Sequence, residues 1–149
     1  MAQDKPCVTP AEADAIFTAL APAMLRAVRD SCVEALPAEA YLVARGDQLI
    51  ARYAAPAEPA KPVAVAAVAK ILGPKAEGQV SPELFDSMAA PMIASMLSAS
   101  IKPDKCPTIN RVAELLDPLP PANLSGLVVL VIQLASKDDS KLPICKAGD

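Results

Sequence analysis

The sequence predicts an all-α protein, a single-domain bundle of about five to seven proline-punctuated helices tied by two disulfides. Three observations carry this. A capping residue followed by proline recurs where apolar periodicity begins, as at Thr9-Pro10 and Ser81-Pro82, which is how helices open. Apolar side chains then repeat with the 3.6-residue period. Finally, 53% of residues are hydrophobic but only 3% aromatic, so the core must be built from Ala, Val, Leu, Ile and Met, side chains that suit closely packed helices. At 149 residues one core can form without a metal, giving a domain over 1–149 with short flexible ends at 1–8 and 137–149.

The first helix starts at Thr9-Pro10-Ala11-Glu12. Thr9 caps, Pro10 occupies the first position where its missing N–H costs nothing, and Glu12 can reach back to complete a capping box. Ala13, Ile16, Phe17, Leu20, Met24, Leu25 and Val28 follow the helical period, Pro22 predicts a kink, and the helix runs to about Cys32. Residues 38–54 read best as a second helix with Leu42, Leu49, Ile50 and Tyr53 on one face. The alternative is a hairpin turning at Gly46-Asp47, with a small α+β sheet formed by 41–53 and 128–134. Helix is preferred because no other segment resembles a sheet partner. The Arg45-Gly46-Asp47 triplet carries no adhesive meaning.

Residues 55–62, with Pro56, Pro59 and Pro62, read as a Pro/Ala connector, followed by a helix over 63–72 that stops at Gly73-Pro74. After a loop over 75–80, Ser81-Pro82-Glu83 opens a helix to about Ser100 with Pro91 in its middle. Cys106-Pro107-Thr108 opens a short helix that stops near Asp117-Pro118. The last helix, roughly 121–136, contains the greasiest stretch of the chain, Gly126–Ala135. Lacking a polar face, it is expected at the buried centre of the bundle, despite the strand preference of Val128, Val129, Val131 and Ile132. The tail 137–149 is polar, with Leu142, Ile144 and Cys145 to pin it.

Cys7, Cys32, Cys106 and Cys145 are widely scattered, with no Cys-x-x-Cys, which fits two disulfides in an oxidising compartment better than zinc ligation. Met1 is then expected to stand where an export signal was removed, and the location is periplasmic or secreted. A helix over 9–32 separates its ends by about 35 Å, which excludes Cys7–Cys32. With three helices between Cys32 and Cys106, an up-and-down bundle places those two at opposite ends. That slightly favours Cys7–Cys106 with Cys32–Cys145 over Cys7–Cys145 with Cys32–Cys106.

A net charge of −3 without a basic stripe argues against nucleic acid. The apolar run 124–135 is shorter than the roughly 20 residues a membrane span needs. There is no histidine, which removes Ser–His and Cys–His catalysis and the commonest metal ligand. No phosphate loop or nucleophile motif occurs, no cofactor or metal is implied, and Asp138-Asp139 reads as a solvated doublet rather than a calcium site. Met88, Met92 and Met96 recur every four residues, with Met24 a candidate neighbour across a helix pair. Core filling is the first reading of this stripe. A pliable wall for an apolar ligand is the second, and a thioether Cu(I) site the weakest. The expected function is a non-enzymatic exported binding protein acting through a protein or envelope partner. The alternatives are a carrier of a small apolar ligand lined by Met24, Met88, Met92 and Met96, or a carboxylate-dependent hydrolase with two acids facing one cleft.

Overall fold

A computed structural model of the chain describes residues 7–73, 75, 78–135 and 144–145. Five helices follow one another: α1 (Pro10–Cys32), α2 (Tyr41–Leu72), α3 (Pro82–Ser100), α4 (Cys106–Leu116) and α5 (Pro121–Ala135), with short 3-10 turns at Val33–Ala35 and Pro103–Lys105. The expected all-α class is what the chain adopts. Among the described residues there is no strand, only an isolated parallel bridge between Val8 and Ile144. The hairpin alternative fails because Tyr41–Tyr53 lies wholly in α2 and Val128–Leu134 in α5.

The capping box that opens α1 is fully formed. Thr9 Oγ1 accepts from the Glu12 N–H at 3.1 Å, and Glu12 accepts from the Thr9 N–H at 2.8 Å. Ser81 caps α3 by accepting from the Leu84 N–H at 3.1 Å. Pro22 and Pro91 both sit inside continuous helices.

Residues 55–62 are not a connector. They form the middle of α2, a rod of 32 residues and about 48 Å that runs through Pro56, Pro59 and Pro62. Each proline deletes one i→i−4 bond, but Tyr53, Ala57, Ala64 and Ala67 are buried before, within and after the stretch. Burial on both sides holds the segment in register, and tertiary packing overrides local propensity. Gly73, at φ 103°, ends the rod in the left-handed region that favours glycine.

The α1 and α2 helices lie antiparallel and clamp each other at both ends. Glu12, at the start of α1, takes Lys70 from the end of α2 at 2.6 Å, and Arg29, near the end of α1, takes Asp47 from the start of α2. Gly46 lets the two approach, since a Cβ there would lie 3.0 Å from Arg29 Cδ. Arg45-Gly46-Asp47 is thus a piece of a helix–helix contact.

The core is strung along α2 in three clusters. At one end Cys32, Tyr41, Leu42, Leu49, Tyr53, Cys106 and Ala113 pack together. Towards the other end Val8, Ala13, Ala67 and Val129 form a second cluster, and Ala64, Val65 and Phe85 a third. The long helix α2 occupies the centre that α5 was expected to fill. Among the described side chains of α5 only Ser125 and Val129 are buried, while Leu127, Leu130, Val131 and Leu134 lie on the surface.

The disulfides are Cys7–Cys145 and Cys32–Cys106, which reverses the favoured pairing. The reason is the missing break in α2. Two helices, not three, separate Cys32 from Cys106, so α2 leads the chain away and α3 brings it back to the same end. Val8 is buried, and its carbonyl accepts from the Cys145 N–H at 2.7 Å, so residues 7–8 and 144–145 are fastened side by side. Residues 1–6, residues 76–77 of the 75–80 loop and most of the 137–149 tail, including Asp138-Asp139, lie outside the described residues.

Candidate functional site

The alternation of large and small side chains along α3 sets up the principal concavity. Phe85 turns inward onto Ala64 and Val65, anchoring the helix, while Leu84, Met88 and Met92 stay at the surface. Between them and the facing sides of α1 and α2 runs a groove of about 370 Å³. Its walls are Ile16 and Leu20 from α1, Val68 and Leu72 from α2, Val80, and Leu84, Phe85, Met88, Ala89, Met92 and Ile93 from α3. No polar atom contributes to this lining.

Met88, Met92 and Met96 are each more than half exposed, so they are not core filling. Met88 and Met92 form one rim of the groove, and Met96 lies beyond its lining. Met24 does not join them. It lines a smaller depression of about 180 Å³ on another side of α1, with Phe17, Ala21, Tyr53, Leu124 and Val128. The four methionines proposed as one site are therefore not brought together: Met88 and Met92 share the groove, Met96 lies outside its lining, and Met24 follows Phe17 and Ala21 towards α5 whereas Ile16 and Leu20 face α3.

Polar groups are gathered elsewhere. Asp117 accepts from the Tyr41 hydroxyl, and Arg52 donates to the Asp117 carbonyl at 2.5 Å and approaches its carboxylate at 3.4 Å. Asn110 Oδ1 accepts from the Leu42 N–H at 2.9 Å. Together these contacts latch α4 and the turn after it onto the start of α2. Burial, then the bond to Asp117 and its charge, push the Tyr41 phenol up to about 12, so it remains protonated across the physiological range. Burial alone raises Tyr53, whose hydroxyl is enclosed without a hydrogen-bond partner among the described residues.

A third depression, about 260 Å³, carries Glu58 and Asp86. Both bond Lys61, at 3.0 and 2.9 Å, and hold that ammonium above its ordinary range, the nearer Asp86 contributing most. The two carboxylates are largely solvated, at 77% and 56% exposure, and share one counter-cation. This is an ion-pair cluster joining α2 to α3, without the desolvation that would set two acids apart as acid and base. Among the described residues no group of three or more Cys, Asp or Glu side chains converges to hold a metal ion.

The groove was only partly detectable in the sequence. The spacing of Met88 and Met92 identified one wall, but the wall contributed by Val68 and Leu72 depends on α2 continuing through its prolines. Among the described residues, no single helix is long and apolar enough to cross a membrane. The α3 helix and the segment Pro103–Leu116 meet at 88°, so they do not make one straight rod. Comparison with protein-family models, with curated proteins and with solved structures finds no match.

Proposed function

We propose that this is a non-enzymatic, exported binding protein, periplasmic or secreted, that receives an apolar face of a protein partner in the α1–α2–α3 groove. The observation that carries the proposal is the wholly apolar groove of about 370 Å³ with Met88 and Met92 half-open to solvent along its rim. An open trough lacks the outer wall that encloses a small ligand, and an amphipathic helix laid into it supplies that wall itself. Methionine suits such a rim, because its unbranched thioether side chain repacks around different shapes. The two disulfides support an oxidising compartment.

Photo-crosslinking tests this. A benzophenone amino acid in place of Met92, in the oxidised full-length protein within its native envelope or medium, is expected to give a light-dependent protein adduct. The same probe at exposed Glu39 is expected to give none. A second reading, a carrier of a small apolar molecule, is favoured by the groove's volume, which lies within the range of small-ligand sites. Stoichiometric binding of a fluorescent fatty acid, weakened by Met92→Glu and unaccompanied by any protein adduct, selects that reading. Neither adduct nor probe binding overturns both.

A further inference from the structure

Oxidation has few places to strike in this molecule. All four cysteines are held in the two disulfides, so no thiol is left to react. The chain has no tryptophan and no histidine, and its two tyrosines, Tyr41 and Tyr53, are buried. Among the described residues, the reduced sulfur most open to an oxidant is that of Met88, Met92 and Met96, exposed at 55%, 56% and 63% along one stripe of α3. Met24 is more buried than any of them.

We infer that Met88 and Met92 are a modification site, where oxygen transfer from a peroxide makes the rim of the α1–α2–α3 groove polar and switches its binding off. The inference rests on the groove reading proposed above. The thioether lone pair attacks one peroxide oxygen, an S–O bond forms as the O–O bond breaks, and the displaced hydroxide takes the proton of the transferred oxygen and leaves as water. Sulfur loses two electrons and the peroxide gains them. The consequence follows from the lining. No polar atom contributes to it, so a sulfoxide oxygen there finds no hydrogen-bond donor, and an apolar occupant laid over it buries that oxygen unpaired. Four residues apart, Met88 and Met92 are neighbours on the helix surface, so both oxygens enter the same rim. Met96 lies beyond the lining, and its oxygen stays in water. Epimer-specific methionine sulfoxide reductases, spending a dithiol, are the class of enzyme that restores the rim.

The test treats the disulfide-intact full-length protein with hydrogen peroxide, removes the reagent and reads each methionine by peptide mass spectrometry. Met88, Met92 and Met96 are each expected to gain about 16 Da ahead of Met24. Treated and untreated protein are then compared for the light-dependent adduct, with the benzophenone amino acid moved to Leu72 on the α2 wall, and for fluorescent fatty-acid binding. Whichever of the two the untreated protein shows is expected to fall at least about tenfold. Met96→Leu is expected to leave that loss in place. In the double variant Met88→Leu with Met92→Leu, peroxide is expected to cost no further binding, which separates the rim from damage elsewhere. Met24 oxidised as fast as the stripe overturns the inference. So does binding that survives sulfoxidation of both Met88 and Met92, or a loss equally large in the double variant, and in all three cases the groove reading stands. Untreated protein with neither adduct nor fatty-acid binding overturns the groove reading, and the inference with it.

Discussion

Removing the two disulfides one at a time separates chain entropy from core packing. The bridges are nested: Cys7–Cys145 spans 138 positions and encloses Cys32–Cys106, which spans 74. With the inner bridge intact the outer one closes an effective loop of 138 − 74 = 64 residues. By the loop-closure relation each bridge, removed with the other intact, contributes about 4 kcal/mol, equal within error. Packing breaks the tie. Cys32 and Cys106 are fully buried in the cluster with Tyr41, Leu42, Leu49 and Tyr53, so Cys32→Ala with Cys106→Ala also leaves two small voids, about 1 kcal/mol each. Cys7 is partly exposed, and Cys7→Ala with Cys145→Ala leaves less behind. Urea unfolding of the non-reduced variants is expected to show the inner pair costing about 6 kcal/mol and the outer about 4, against a total stability of about 5–15 kcal/mol. Timed reduction followed by alkylation and mass measurement is expected to open Cys7–Cys145 first. An outer pair that costs as much as the inner, or an inner bridge reduced first, refutes the placement of the main core around Cys32–Cys106.

Further outcomes are expected. Gly126→Ala is expected to stabilise the protein by about 0.5–1 kcal/mol in thermal or urea unfolding, because nothing lies within 4 Å of the added methyl and mid-helix glycine is intrinsically costly. Stability is expected to fall between pH 10 and about 12, since in that window the unfolded Tyr41 phenol ionises while the folded one keeps its proton. Tyr41→Phe is expected to cost about 1 kcal/mol at pH 7, leaving Asp117 with Arg52, and to make the alkaline decline shallower in pH-dependent unfolding. Lys70, then the Thr9 N–H, holds Glu12 below the usual carboxylate range. Its contribution is therefore present at neutral pH and lost as acid protonates it, and Glu12→Gln is expected to flatten the acid limb of the unfolding profile. Thr9→Ala is expected to cost about 1 kcal/mol at pH 7, read as a lowered unfolding midpoint.

The helix starts were legible because they are local chemistry. Thr9-Pro10-Ala11-Glu12 and Ser81-Pro82 carry their own hydrogen-bond partners, and the structure closes those bonds. The continuity of α2 was not legible, since Pro56, Pro59 and Pro62 are local breakers and what overrides them is burial of Tyr53, Ala57 and Ala64, a property of the packed state. The disulfide pairing inherited that error, because one helix more or fewer decides at which end the chain arrives. The exclusion of Cys7–Cys32 rested only on the length of α1 and stands. Gly126–Ala135 shows a different limit. Apolar character announces that a surface is to be covered without saying whether the cover comes from the same chain, and here only Val129 is buried among the described side chains of that stretch. For the site, the methionine period marked one wall of the groove, but which α1 residues face α3 and which face α5 is a matter of helix rotation.

Cys7 and Cys145 bring the first and last described parts of the chain to a Cα separation of 5.1 Å, and they make the polypeptide between them a covalent ring. A protease that cuts once anywhere inside that ring releases no fragment, because the bridge still joins the two pieces. Wherever such a cut falls, the first cleavage is thereby turned from a loss into a scar.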